Sequence, residues 1–223
     1  MRKRSSGRSS EGNYASLLRK GIEFSNLVVS DEAQKKLLAY VDMLVKWNRI
    51  YNLTAVRKPY DMVIRHILDS LAVVPYLDSG RVLDVGTGAG LPGIVLALAC
   101  PDNHLILLDS SDKKLRFVKQ VVAELELDNV TVVSARDEEY KPEEKVDVII
   151  SRALLSLDTM VQLAARVCNS DVQLLAMKGV YPMTEIEALE DQSVVEEVVT
   201  LDVPFLDAER HLVIMRYTDE EGC

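Results

Sequence analysis

The chain is poor in the residues that build metal sites. Its 223 residues include three Cys and three His. Cys100, Cys168 and Cys223 are scattered, without C-x-x-C spacing and in no cluster with the histidines. That argues against a metal centre, and a reducing cytoplasm is the natural home for such a chain. No apolar run approaches the roughly 20 residues of a membrane-crossing helix. The basic start, Arg2-Lys3-Arg4, leads into serines and does not read as a secretory leader. Positive charge is also short. The net charge is −9, and setting aside the four basic groups of the first ten residues takes it to −13. A polyanionic partner therefore has to meet a local cationic patch.

What is present is a core. Hydrophobic residues make up 48% of the chain, and the length suits one α/β domain with an N-terminal addition. Residues 1–29 read as a basic, disordered tail and lead-in, either a solubilising extension or an arm that touches RNA. Residues 30–80 read as a helical cap. Ser30 can cap a helix with Asp31 and Glu32 in its first turn, and Leu37, Val41 and Leu44 recur at helical spacing to about Asn48. A second helix is expected over 60–76, with Val63, Ile67, Leu71 and Val74 on one face. From 81 to 218 strands and helices alternate. Strands are expected at 81–85, 105–109, 130–134, 146–150, 172–177, 194–201 and 211–217, and helices at 91–99, 112–126, 154–167 and 183–190. This alternation predicts an α/β, Rossmann-like, mostly parallel doubly wound sheet. The last two strands form a closing hairpin, which makes one strand antiparallel.

The most informative segment is Arg81-Val-Leu-Asp-Val-Gly-Thr-Gly-Ala-Gly-Leu-Pro-Gly93. A β-branched run ends in a glycine turn and opens a helix, whose first N–H groups are expected to be open to a ligand. Two patterns overlap here. Gly88 to Gly93 fits the dinucleotide G-x-G-x-x-G. Asp84 to Gly90 resembles the D/E-x-G-x-G-x-G loop of S-adenosylmethionine (AdoMet) methyltransferases. The second is favoured, because a carboxylate at Asp84 repels a pyrophosphate and attracts the cationic methionine part of AdoMet. The cofactor cradle is expected at Asp84, Gly86, Thr87, Gly88, Gly90 and Leu91.

Further candidates lie at strand ends, where open α/β sheets bind ligands. Asp109 ends the second strand and can accept both ribose hydroxyls, with Ser110 beside it; an Asp there also serves as a helix N-cap. Ala135, Arg136 and Asp137 follow the third strand, where the adenine passes. Arg152, expected to contact cofactor as well as substrate, follows the fourth strand and Lys178 the fifth. With Lys113, Lys114, Arg116 and Arg136 they place positive charge at the cleft rim, as a phosphate-bearing substrate requires. The fourth strand lacks the Asn/Asp-Pro-Pro-aromatic motif of amino-directed adenine methyltransferases. Cys100-Pro101 lies too far from the cleft for the nucleophile of a cytosine C5 enzyme. Trp47 to Ala55 joins the early helices and could cover a cofactor, stack on a base or simply pack. His66 and Asp69, three apart on a helix, can pair.

Several of these stretches together resemble the bacterial glucose-inhibited division protein B family over about Asp31 to Tyr217. They are Trp47-Asn48…Asn52-Leu53-Thr54-Ala55, His66-Ile67-Leu68-Asp69-Ser70-Leu71, the glycine loop through Gly93, Ser151-Arg152-Ala153, Lys178-Gly179 and Arg210-His211. Leu91 departs from the family's common Phe. The resemblance implies a seven-stranded methyltransferase sheet with N-terminal helices, AdoMet as cofactor, and methylation of guanine N7 in a decoding-region loop of 16S ribosomal RNA, naked or in the small-subunit particle. Guanine N7 has a free lone pair and loses no proton, so this chemistry needs alignment rather than a base. Arg152 and Lys178 are then the expected catalytic residues, with no metal and no membrane involved. The competing readings are an NAD-dependent oxidoreductase and a methyltransferase-like module that binds ribosomes without catalysis.

Overall fold

The computed structural model describes residues 8–152 and 154–218. Seven strands form one sheet: β1 (Arg81–Val85), β2 (His104–Asp109), β3 (Val130–Ser134), β4 (Val146–Arg152), β5 (Cys168–Lys178), β6 (Val195–Thr200) and β7 (His211–Thr218). Their order is β3-β2-β1-β4-β5-β7-β6. β1 to β5 pair in parallel, and β7 runs antiparallel to both of its neighbours. This matches the expected sheet and its hairpin. The central strands are mostly apolar because helices cover both faces, with Asp84, Ser151 and Gln173 as buried polar exceptions. Alternate side chains divide between two cores: Val82, Leu105, Leu107 and Ile150 face one, while Leu83, Val85, Ile106 and Ile149 face the other.

Onto the second face pack α7 (Leu157–Val167) and α8 (Met183–Glu187), through Leu157, Met160, Leu163 and Ile186. The first face carries α5 (Gly93–Ala99) and α6 (Asp112–Glu124), and also the N-terminal helices α1 (Arg8–Phe24) and α2 (Asp31–Tyr51). Ser30 caps α2 as expected, its hydroxyl accepting from the Ala33 N–H at 3.1 Å. Tyr14, Leu18, Leu37 and Tyr40 belong to the same apolar cluster as the sheet, so the cap shares the sheet's core.

Two expectations are corrected. The lead-in is not disordered over residues 8–24. Tyr14, Leu17, Leu18 and Ile22, at helical spacing, bury one face of α1; residues 1–7, with the basic start, lie outside the described residues. The helix expected over 60–76 is also broken up. It is α-helical at α3 (Pro59–Met62), widens to a π-helix over Val63–Leu68, returns to α at α4 (Asp69–Leu71), and ends in a 3-10 turn, Val74–Tyr76. Pro75, which has no N–H, suits the 3-10 turn and not an α interior. The π turn sits where Arg65, His66 and Asp69 reach a common cavity, a frequent place for such turns.

β1 and β4 are adjacent, and the chain winds outward from them in opposite directions. The carboxyl ends of β1, β2 and β4 therefore surround a topological switch point, the usual ligand crevice of this architecture.

Candidate functional site

At the end of β1 the backbone turns through Gly86, Gly88 and Gly90 with φ of 71°, 61° and 94°, the left-handed region that favours glycine. The loop is tied on every side. The N–H groups of Gly86 and Thr87 donate to the Leu108 carbonyl at 2.8 and 3.0 Å, and those of Gly90 and Leu91 donate to the Thr87 carbonyl at 2.9 and 2.8 Å. Gly88 N–H donates to Asp109 Oδ2 at 2.8 Å. From α2, the Tyr40 hydroxyl donates to the Ala89 carbonyl at 2.9 Å.

Asp84 lies beneath this loop, fully buried. Its Oδ2 accepts from Thr87 Oγ1 at 2.6 Å and from Gly93 N–H at 2.8 Å, while Oδ1 has no partner. A Cβ on Gly93 would collide with Leu107 and Asp84, so glycine is what lets α5 descend onto the carboxylate. Burial raises the Asp84 pKa from 3.8 to about 6, even though the bonds from Thr87 and Gly93 favour its charged form.

These bonds change the expected picture. The first amides of α5 are not open to a ligand: Gly93 donates to Asp84, Ile94 to the Gly90 carbonyl at 2.8 Å, and Val95 and Leu96 to the Pro92 carbonyl at 2.9 and 3.1 Å. A diphosphate on a dinucleotide loop needs just such free donors. Gly88 to Gly93 therefore carries the spacing of that motif without its donors. Asp84, Thr87 and Leu91, expected to touch the cofactor, are 0%, 1% and 4% exposed and turn into the protein. They hold the shape of the loop.

Beside the loop lies a cavity of about 280 Å³ at the carboxyl ends of β1, β2 and β3, lined by Gly86, Asp109, Ser110, Ala135, Arg136 and Asp137, among others. Lys114 also lines it, 4.0 Å from Asp109. Asp109 Oδ1 accepts from Ser111 N–H at 2.8 Å. Because α6 begins at Asp112 with Ser111 at the cap, Asp109 is not the helix N-cap. Each of its oxygens has a second lone pair, enough for vicinal hydroxyls. Leu154 leans over Gly86, where a Cβ would strike it.

A second cavity, about 430 Å³, is lined by Arg65, His66, Asp69, Arg152, Lys178 and Arg210, among others. Asp69 joins its two sides: Oδ2 accepts from Arg152 Nη1 at 3.3 Å and Oδ1 from Arg210 Nε at 2.7 Å. His66 does not pair with Asp69. Its Nδ1 lies 2.9 Å from the Arg65 carbonyl and its Nε2 lies 2.9 Å from Thr54 Oγ1. A carbonyl only accepts, so Nδ1 carries the hydrogen and Nε2 accepts from the hydroxyl. Burial, followed by the Arg152 charge, lowers the His66 pKa to about 4 and keeps the ring neutral.

The other expected cations separate. Lys178 Nζ donates to both Glu185 oxygens at 2.9 and 2.7 Å and to the Leu155 carbonyl at 3.0 Å, so its three hydrogens are engaged within the protein. Arg152 faces the second cavity and not the first, and Arg136 stands at the rim of the first. Lys113 lies over the Tyr51 ring, 5.8 Å from its centre. Arg116 is exposed on α6 and lines neither cavity. Trp47 packs on Tyr51 and Phe117 with ring centres 5.2 and 5.6 Å away. Asn48 organises the following loop, accepting from Thr54 N–H and donating to the Thr54 and Val56 carbonyls. Ala153 lies outside the described residues.

Sequence reasoning missed Tyr40, for which no pattern signalled a role, and the bridge from Arg152 through Asp69 to Arg210. Asp69 and Arg210 stood in noted motifs, but their pairing across 141 positions left no local trace. Among the described residues no group of three or more His, Cys, Asp or Glu could hold a metal ion, and no helix is long and apolar enough to cross a membrane.

The fold is that of the AdoMet-dependent methyltransferases. A SAM-dependent methyltransferase from Aquifex aeolicus superposes with a TM-score of 0.55 at 20% identity, covering 70% of this chain and 93% of that one. The N-methyltransferase NodS from Bradyrhizobium japonicum, solved with S-adenosyl-L-homocysteine, gives 0.55 at 14% identity, covering 79% and 99%. Sequence comparison is narrower. The family model for rRNA small subunit methyltransferase G matches residues 33–213. Ribosomal RNA small subunit methyltransferase G of Vibrio vulnificus is 47% identical over 199 residues, 89% of this chain and 94% of that protein. Its counterpart in Cronobacter sakazakii is 48% identical, over 87% of this chain and 94% of that one. The chain belongs to the rRNA small subunit methyltransferase G family, the family its motifs resemble.

Proposed function

We propose that the protein transfers the methyl group of AdoMet to N7 of a guanine in the 16S RNA of the small ribosomal subunit, in the cytoplasm where that particle is built, with no metal taking part. The observation that carries the cofactor reading is the state of the glycine loop. The amides of Gly86, Thr87, Gly88, Gly90 and Leu91 and the first ones of α5 are engaged by protein acceptors, and a buried carboxylate lies beneath the loop where a diphosphate would be repelled. This supports a cation-bearing cofactor over NAD. The remaining lone pairs of Asp109 fit the ribose diol of AdoMet, and the buried carboxylate of Asp84 beneath the loop favours a cationic ligand above it through its charge and not by contact.

When bound, AdoMet supplies an electrophilic methyl group whose sulfur leaves with the bonding pair as a neutral thioether. Gly86, Gly88 and Gly90 give the close backbone approach, Asp109 with Ser110 holds the ribose, and Ala135 with Arg136 and Asp137 borders the adenine. Asp84, Thr87 and Leu91 keep the cradle in shape. The guanine enters from the second cavity, where Arg152 and Arg210 meet its phosphate or its O6. Lys114, at the boundary of the first cavity, and Arg136, at its rim, with Lys113 and Arg116 further out, guide the backbone. Lys178 acts by fixing the rim. N7 brings its own lone pair and releases no proton, so a neutral, hydrogen-bonded His66 is compatible with the reaction. Purified protein, methyl-labelled AdoMet and small-subunit particles lacking the modification test the reading. Label should appear in 16S RNA as 7-methylguanosine, and particles left unlabelled would overturn it.

A further inference from the structure

Four large apolar side chains stand exposed after these strand ends: Leu154, which lines the first cavity, after β4, and Val180, Tyr181 and Met183 after β5, in the segment that follows Gly179 of the second cavity. Single exposed apolar residues are ordinary, but a group of them at the rim of a charged cavity marks a contact surface. Tyr181 is the informative one. It is 47% exposed, and its ring meets that of His211 edge to face, with centres 5.5 Å apart and planes at 83°. His211 lines the 430 Å³ cavity, is 7% exposed, and its Nδ1 has no partner. Tyr181 thus leans over a wall of the cavity proposed for the guanine, and part of its surface remains uncovered.

The rim is also held firmly. Lys178, the last residue of β5, reaches the Leu155 carbonyl on one side and Glu185 of α8 on the other. Glu185 Oε2 in turn accepts from Leu157 N–H at 3.0 Å. One half-buried node therefore ties the segment bearing Leu154 to the segment bearing Tyr181. A Cβ on Gly179, between Lys178 and Val180, would meet nothing within 4 Å, so the approach is open. A preorganised aromatic beside a cationic cavity is the arrangement that captures an unstacked base, which places its face on the ring and its phosphate on the arginines.

We infer that residues 179–183 form a stacking lip, and that Tyr181 with His211 positions the extruded purine of the RNA substrate over the cavity held by Arg152, Asp69 and Arg210. This rests on the proposed methylation of RNA and adds to it a specificity-determining contact. A protein or lipid partner for the same apolar rim is the competing outcome.

The test uses the full chain with Tyr181→Ala, Tyr181→Phe and Tyr181→Leu. It measures kcat and KM for small-subunit RNA, RNA affinity by filter binding, and AdoMet affinity by calorimetry. Tyr181→Ala and Tyr181→Leu should lower kcat/KM for RNA roughly ten- to a hundredfold, as loss of one stacked base does, with AdoMet affinity unchanged. Tyr181→Phe should restore most of the wild-type value. Unchanged RNA affinity and kcat/KM in Tyr181→Ala would overturn the inference, as would full activity in Tyr181→Leu, which keeps apolar bulk without a ring. If the wild type binds RNA but transfers no methyl group, the proposed reaction fails, and the binding series still decides the lip.

Discussion

Replacing Asp84 by Asn removes a buried charge while leaving its bonds in place. The retained oxygen can accept from both Thr87 and Gly93, as Oδ2 does, and the new amide nitrogen takes the position of the unpartnered Oδ1. Burial lifts Asp84 from 3.8 to about 6. Between those values the unfolded chain has released its proton and the folded chain has not, so stability falls as pH rises through the window. Above it the penalty reaches about 3 kcal/mol, at about 1.36 kcal/mol per tenfold change. The stranded amide hydrogens offset about 1–2 kcal/mol of the gain from removing the charge. Asp84→Asn should therefore be about 1–2 kcal/mol more stable than wild type near pH 8 and no more stable near pH 4.

His66 works in the opposite direction. Its pKa falls from 6.5 to about 4 on folding, so it costs stability as pH drops through that range. In the wild type the two groups nearly cancel over one window. In Asp84→Asn the slope due to His66 stands alone, and stability climbs with pH. Urea unfolding followed by circular dichroism at about pH 5 and about pH 8 reads the difference. A variant destabilised equally at both pH values would show that the buried Asp84 charge carries no such cost. The same variant should lose more affinity for AdoMet than for its uncharged thioether product, since only the former carries the sulfonium.

Asp109→Ala frees the Gly88 and Ser111 amides and removes the ribose acceptor; AdoMet affinity by calorimetry should fall at least tenfold, with a stability loss of about 1–2 kcal/mol. Arg152→Ala should keep AdoMet affinity within a few-fold and lower labelled-methyl transfer to RNA by about two orders of magnitude or more, as loss of a positioning contact does. Asp69→Ala leaves Arg152 and Arg210 facing each other without a counter-charge. The two arginine side chains are 22% and 21% exposed, which discounts the cost of a fully buried pair, so a loss of about 2–4 kcal/mol is expected in a thermal melt.

The sheet was legible because most of its strands are short runs rich in Val, Ile and Leu that end at a glycine or a polar residue, as at Val85-Gly86 and Leu108-Asp109. The cradle was legible as a pattern, but the direction of its amides was not. The bonds of Gly86 and Thr87 go to the Leu108 carbonyl and those of Gly90 and Leu91 to the Thr87 carbonyl, and any residue type supplies such acceptors. The buried face of α1 was hidden by its basic, serine-rich neighbour, although Tyr14, Leu17, Leu18 and Ile22 carry the helical spacing. Lys178 read as a free cation because the loop that brings Glu185 back to it has no sequence signature. Asp69 read as a partner of His66 because three-residue spacing was the only visible relation; the π turn and the distant Arg210 decide otherwise.

The proposed reaction delivers a methyl group to one guanine of small-subunit RNA. Mass mapping of nucleosides in 16S RNA from cells with the protein, without it, and with only Arg152→Ala tests it most directly. One 7-methylguanosine should be present in the first RNA and missing from the other two. An identical set of modified nucleosides in all three would contradict it.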